Sequence, residues 1–95
     1  MDTDVHLADT PDHRMAYVGD LAAPDARMTF SRAGSGMIII DHTEVSERLR
    51  GQGVGRKLLD RLVAFAREGQ LKVIPLCPFA KSIFDKEAFI RDVLR

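Results

Sequence analysis

Residues 43–59 read Thr-Glu-Val-Ser-Glu-Arg-Leu-Arg-Gly-Gln-Gly-Val-Gly-Arg-Lys-Leu-Leu, and the pattern of strand and helix is clearest around this segment. The run before it, residues 37–40, is apolar and rich in β-branched side chains, which predicts a buried strand. After it, apolar side chains recur at helical spacing from Val54 and Leu58 onward, and Gly69 is a natural C-terminal stop. The pattern therefore predicts a strand, a glycine-rich turn and a helix over about residues 53–68.

The glycine-rich turn has the features of a phosphate cradle. Glycines let the backbone approach a ligand closely and adopt turns that other residues avoid. A helix that begins at such a turn directs its unpaired N–H groups and the positive end of its dipole outward. The turn comprises Gly51, Gln52, Gly53, Val54 and Gly55, and its flanking cations are Arg48, Arg50, Arg56 and Lys57. These cations indicate that the ligand is an anion.

The spacing of the glycines excludes two common phosphate loops. A dinucleotide fingerprint and a Walker A loop would each require a glycine where Arg56 stands. The pattern that the turn does contain is Arg50-x-x-Gly53-x-Gly55, which resembles the Gln/Arg-x-x-Gly-x-Gly/Ala signature of the GNAT superfamily of acetyl-CoA-dependent N-acetyltransferases.

Three further segments extend this resemblance over residues 37–95. His42-Thr-Glu-Val45, Leu49-Arg-Gly-Gln-Gly53 and Lys72-Val-Ile-Pro-Leu-Cys-Pro-Phe79 resemble the small single-domain GNAT subfamily that carries a Leu-Cys-Pro-Phe motif. The resemblance implies a GNAT-like sheet in which two parallel strands splay apart to admit the pantetheine arm. It implies acetyl-CoA or CoA as co-substrate, with no metal.

The rest of the chain fits one α+β domain that spans residues 1–95. Candidate strands at residues 5–7, 14–18 and 27–31 are joined by short loops, which predicts an antiparallel meander leading into the strand at residues 37–45. The main helix then crosses over to a parallel strand at residues 71–76. Pro78 fits the first turn of a helix over residues 79–86, and a C-terminal helical segment follows or continues it. The expected sheet is therefore mixed and mostly antiparallel.

Composition bounds the function further. Among 95 residues, 14 basic and 14 acidic side chains cancel, so no bulk charge attracts nucleic acid or membrane. A single cysteine precludes an internal disulfide and fits a cytoplasmic protein. We expect a monomer or a weak homodimer.

In full-length GNAT proteins, helices after the first strand line the acceptor site, and the first 36 residues leave no room for them. A conventional acceptor pocket is therefore not expected.

Acetyl transfer from a thioester to an amine requires removal of a proton from the amine and a group that tolerates or protonates the departing thiolate. His42 and Glu44 lie two residues apart on a predicted strand, so they share a face and either could act as the base. GNAT enzymes commonly use a tyrosine after the last parallel strand as the acid, and here Tyr17 is the only tyrosine. Cys77 stands at that place, before Pro78 and at the start of a predicted helix, where a thiol ionises more readily.

Cys77 has three alternative interpretations. It could protonate the leaving thiolate, or accept the acetyl group as a nucleophile with His42 as its base. It could also be a small buried apolar residue, which is the common fate of a free cysteine.

The resemblance also implies which residues bind each part of the cofactor. The phosphates would rest on backbone N–H groups of residues 52–56, with Arg50, Arg56 or Lys57 near the pyrophosphate or 3′-phosphate, and pantetheine would pair with the strand end from Thr43 to Val45. The predicted activity is N-acetyl transfer to a small-molecule or protein amine. The alternative is a non-catalytic CoA or acyl-CoA binding module. A nucleic-acid-binding domain fits less well, because the chain lacks a broad basic face with interleaved aromatics.

Overall fold

A computed structural model describes residues 4–95, in which five strands form one sheet with the order β1-β2-β3-β4-β5. The strands are β1 (His6–Asp9), β2 (Arg14–Gly19), β3 (Pro24–Ala33), β4 (Met37–Val45) and β5 (Lys72–Pro75). The helices are α1 (Val54–Glu68) and α2 (Pro78–Lys86), and 3-10 turns span Glu47–Leu49 and Ala88–Val93. Strands β1 to β4 pair antiparallel and β5 pairs parallel to β4. The expected α+β fold with a mixed, mostly antiparallel sheet is confirmed.

The hydrophobic core lies between the helices and one face of the sheet, which we call the helix face. Ala16, Met28 and Ile38 are fully buried there and belong to the same core cluster as Leu58 and Leu62 of α1. Burial of each such side chain stabilises the fold by about 1.5–3 kcal/mol for the larger aliphatic residues. Because side chains alternate along a strand, their neighbours in sequence project from the opposite face. The helix face is therefore the side on which α1 begins and the glycine-rich turn lies.

A β-bulge in β4 changes which residues reach the helix face. Thr29 of β3 pairs with His42, whereas the next residue, Phe30, pairs with Ile40 and leaves Asp41 without an opposite residue. Thr43 pairs with the buried Met28, so it lies on the helix face although an uninterrupted strand from Ile40 would place it on the other. The bulge thus brings the Thr43 side chain to the side of α1.

The two parallel strands stop pairing halfway along β4. The ladder runs from Met37 with Lys72 to Ile40 with Pro75, and the N–H groups of Leu76 and Cys77 then both donate to the carbonyl of Ile40, at 2.9 and 3.0 Å. Residues 41–45 of β4 therefore extend beyond the last β5 pair. The opening beside residues 41–45 lies where the resemblance implies that the parallel strands splay apart.

Several boundaries differ from the sequence prediction. Strand β3 begins at Pro24, because a register shift after Val18 lets Gly19 pair with Pro24. The predicted strand at residues 5–7 is His6–Asp9, and β5 is shorter than residues 71–76. After α2, Glu87 is extended and a separate 3-10 helix follows, which is one of the two alternatives that the sequence left open for the C-terminal segment. In the described chain, no helix is long and apolar enough to span a membrane.

Candidate functional site

A groove of about 680 Å³ opens on the helix face where β4 outruns β5. Three elements border it: the end of β4, the glycine-rich turn with the start of α1, and the start of α2. Its lining residues are Asp41, His42, Thr43, Val45, Leu49, Arg50, Gly51, Gly53, Val54, Gly55, Arg56, Cys77, Pro78, Phe79 and Ile83. Most of the cofactor-binding residues predicted from the sequence line this one groove. Gln52, Lys57 and Glu44 do not line it.

The start of α1 offers unpaired backbone donors to the groove. Gly53 is the N-cap, in the left-handed region with φ of 73°, and it has no side chain that could cap the helix. In the part of the chain that the structure describes, the first hydrogen bond of α1 is donated by the N–H of Lys57 to the carbonyl of Gly53, at 3.2 Å. The N–H groups of Val54, Gly55 and Arg56 precede that bond and have no partner within the helix. This arrangement provides three donors and a positive helix end for an anion.

The cations around the turn are less available than the sequence suggests. Arg48 pairs with Asp25 at 2.6 Å. Arg56 binds Asp60 at 2.8 Å and also Glu87, and hydrogen bonds to these carboxylates, chiefly to Glu87, raise the pKa of its guanidinium. Two of the four cations are therefore already paired with carboxylates, whereas the sequence analysis expected all four to attract the anionic ligand.

Arg50 is the lining arginine that is held most loosely. Its Nη1 lies 3.9 Å from a carboxylate oxygen of Glu47, its Nε lies 3.5 Å from the carbonyl of Val45, and its side chain is 70% exposed. Lys57 is exposed and lies outside the lining of the groove. Gln52 instead stabilises the turn, because its side-chain amide donates to the carbonyl of Arg48 at 3.0 Å.

Cys77 lines the groove, and its side chain contacts Thr43. It is the N-cap of α2 and is only 4% exposed. Its Sγ lies 3.0 Å from the Thr43 Oγ1, a hydrogen bond in which either atom can donate. The sequence assigned Thr43 only a backbone role. Its hydroxyl contact with Cys77 was missed because it depends on the β-bulge at Asp41, for which the sequence gives no clear signal.

His42 and Glu44 lie on the opposite face of the sheet from Cys77. They pair with Thr29 and Arg27, and both are exposed. Glu44 accepts hydrogen bonds from Arg27 at 2.8 and 2.5 Å, and this contact lowers the pKa of the carboxyl. The His42 Nε2 is 3.6 Å from Glu44 Oε1. The structure therefore brings His42 and Glu44 together but does not bring the His42 side chain to Cys77.

Phe79 and Gly55 form a second contact that the sequence did not reveal. A Cβ built on Gly55 would lie 2.8, 3.0 and 3.5 Å from three ring atoms of Phe79, which are its three nearest neighbours. The ring therefore extends from the start of α2 to the second residue of α1. Phe79 stays 40% exposed and lines the groove.

The groove has no features of a metal site. Within residues 4–95, no three histidine, cysteine, aspartate or glutamate side chains are grouped so that they could hold a metal ion. The chemistry that these residues can support is proton transfer or thiol chemistry next to a bound anion.

Comparison with known proteins yields one family and several similar folds. The family described as GCN5-related N-acetyl-transferase matches residues 15–93. A solution structure from Staphylococcus aureus, described as a "GCN5-like putative N-acetyltransferase", is 38% identical, with a TM-score of 0.76 over 98% of this chain and 88% of that chain.

Two further structures resemble parts of the chain. An integron cassette protein from the mobile metagenome of Cole Harbour Salt Marsh shares the fold at 15% identity, with a TM-score of 0.55 over 77% of this chain and 52% of that one. A nourseothricin acetyltransferase is 33% identical over 66% of this chain and 39% of its own, with a TM-score of 0.48. No curated protein matches the sequence at a significant level.

Proposed function

The chain belongs to the GCN5-related N-acetyltransferase family, and from that membership we propose that it binds acetyl-CoA in the groove and transfers the acetyl group to an amine. One observation carries the proposal. The unpaired N–H groups at the start of α1, the unpaired end of β4 and the thiol of Cys77 all border the same groove. These are the parts that a phosphate-bearing thioester needs, in one place.

The phosphate end of the cofactor would bind at the start of α1. The pyrophosphate would accept hydrogen bonds from the N–H groups of Val54, Gly55 and Arg56, and the positive helix end adds to the attraction. Arg50 would supply the mobile positive charge, because its side chain is exposed and weakly held. The Arg56 side chain would contribute less than its backbone, since Asp60 and Glu87 already engage its guanidinium.

The pantetheine arm would lie along the end of β4. Beyond Ile40 that strand has no β5 partner, so the amides of pantetheine would pair with its backbone as an added strand does. The Thr43 to Val45 segment leads from the turn toward Cys77, and both Thr43 and Val45 line the groove. The thioester would then come close to the Cys77 thiol.

The geometry favours Cys77 as an acid over Cys77 as a nucleophile. A nucleophilic thiol needs a base beside it, and the hydrogen-bond partner recorded for the Cys77 side chain in the described chain is the hydroxyl of Thr43. In the acid route the amine nitrogen attacks the thioester carbonyl and the carbon–sulfur bond breaks. Cys77 then gives its proton to the departing CoA thiolate, and solvent restores the proton to Cys77.

His42 is the better candidate for the base that takes the proton from the amine. The residue is among those that line the groove, and its exposed side chain projects from the opposite face of the sheet, where its Nε2 lies 3.6 Å from Glu44 Oε1; the amine would therefore approach from that face. Glu44 has the lowered pKa that Arg27 imposes, so its carboxylate holds a proton less readily. We therefore propose that Glu44 orients His42 and does not itself accept the proton.

The test is an acetylation assay with defined amines. The protein is incubated with acetyl-CoA and, separately, spermidine, lysine methyl ester and a short peptide with a free N-terminus, while released CoA thiol and product mass are measured. The proposal predicts CoA release that depends on an amine and falls in Cys77→Ala and His42→Ala. Binding of acetyl-CoA without release would favour a CoA-binding module, and an acetyl mass on Cys77 would favour the nucleophilic route.

A further inference from the structure

The contact between Phe79 and Gly55 joins the two motifs of the sequence. Gly55 is the last glycine of the phosphate turn and the second residue of α1. Phe79 follows Cys77-Pro78 and lies in the first turn of α2. The tip of the ring occupies the space that a side chain at residue 55 would fill, since a Cβ there would lie 2.8 Å from the ring. A side chain at residue 55 would therefore force the ring to shift from this position.

The remaining surface of the ring faces solvent at the groove. Phe79 and Ile83 are four residues apart on α2, so they share a side of the helix, and both line the groove. The ring is 40% exposed, although an aromatic ring this large is usually covered. The ring thus lies near both the N–H groups at the start of α1 and Cys77, the N-cap of α2. A ligand that reaches from one to the other would cover it.

We infer that Phe79 is a cofactor-binding residue that packs on the pantetheine arm, and that Gly55 lacks a side chain so that the ring can take this position. The inference rests on the proposed function, because the arm belongs to acetyl-CoA. It adds that the glycine-rich turn and the Leu-Cys-Pro-Phe segment bind the cofactor together, through the contact between Gly55 and Phe79. A methyl group at residue 55 harms binding by displacing the ring, and it does not obstruct the phosphates directly.

A double-mutant cycle tests the inference, with acetyl-CoA affinity measured by calorimetry. Phe79→Ala should weaken binding about fivefold or more, through loss of the apolar contact. Gly55→Ala should weaken it comparably, by pushing the ring from its place. On the Phe79→Ala background, Gly55→Ala should have no further effect, because the ring that the methyl group meets is gone. Leu21→Ala is the control, since Leu21 is an exposed apolar side chain that does not line the groove, and it should bind like the parent.

Melting temperatures without ligand give a second readout. Alanine is a better helix former than glycine, so Gly55→Ala should raise the melting temperature by a few degrees on the Phe79→Ala background. In the parent, the clash with the ring should cancel or reverse that gain. This sign change tests the contact itself, independently of any cofactor.

Each outcome of the cycle bears on one proposal or both. If the parent binds no acetyl-CoA, the proposed function and this inference both fail. If the parent binds it but Phe79→Ala binds equally or more tightly, only the inference fails. If Gly55→Ala is equally harmful with and without the ring, the methyl group obstructs the phosphates directly, and the inference is again overturned.

Discussion

Replacing Gly53 by alanine should separate the folding role of the turn from its binding role. Gly53 is the N-cap of α1 with φ of 73°, and a Cβ there would meet no atom within 4 Å. The cost to folding is therefore conformational and not steric, and a left-handed non-glycine residue costs about 1–2 kcal/mol. For a domain of this size, the melting temperature should fall by on the order of 10 °C. The same Cβ would project where the pyrophosphate is proposed to approach, so acetyl-CoA affinity should fall about tenfold.

Gly34 provides a matched control. It lies in the turn between β3 and β4 with φ of 63°, also has no atom within 4 Å of a built Cβ, and is not among the residues that line the groove. Gly34→Ala should lower the melting temperature by a similar amount and leave acetyl-CoA affinity unchanged. Differential scanning fluorimetry and calorimetry measure the two quantities. Equal affinity losses in both variants would show that the loss follows from stability alone and that Gly53 has no separate role in binding.

Three further predictions test other parts of the account. Acetyl-CoA should raise the melting temperature in a concentration-dependent way, whereas ATP with magnesium or NAD at equal concentration should do little, and equal stabilisation by ATP would contradict the assignment. Thr43→Val removes the hydroxyl that contacts the Cys77 thiol, so it should slow CoA release in the amine assay, whereas Thr43→Ser should restore the rate. If the Val variant is as active as the parent, the Thr43 hydroxyl does not assist Cys77. Asp9 has its pKa lowered below the ordinary value of 3.8, chiefly by the hydrogen bond from Arg32, so its stabilising effect exists above pH 3.8 and is lost as pH falls below it. Asp9→Asn should therefore melt lower than the parent at neutral pH, with a difference that shrinks in acid; a difference that does not change with pH would contradict this assignment.

The fold followed from local sequence patterns because its main signals are local. The apolar strand, the glycine-rich turn and the amphipathic helix from Val54 onward lie within one continuous stretch, so periodicity and glycine placement suffice to predict them. The parallel pairing of β4 and β5 then follows from the helical crossover of a strand–helix–strand unit. These elements also bring the turn and Cys77 to one groove.

The missed features of the groove depend on residues far apart in sequence. The bulge at Asp41 arises from pairing with β3, and it decides that Thr43, and not His42, faces the helix side. Asp60 lies one helical turn from Arg56, so that ion pair could have been expected from spacing. Glu87, which also engages Arg56, and Phe79, which contacts Gly55, approach only when α2 packs beside α1, and no local pattern specifies that packing.

A map of backbone amide shifts on addition of acetyl-CoA would show whether the cofactor binds in this groove. The account predicts that the largest changes fall on the N–H groups of Val54, Gly55 and Arg56 and along the end of β4 at Thr43 and Val45. Amides of β1 and of the turn at Gly34 should barely move. Saturable shifts centred elsewhere on the protein, or none at all, would contradict the claim that this groove binds acetyl-CoA.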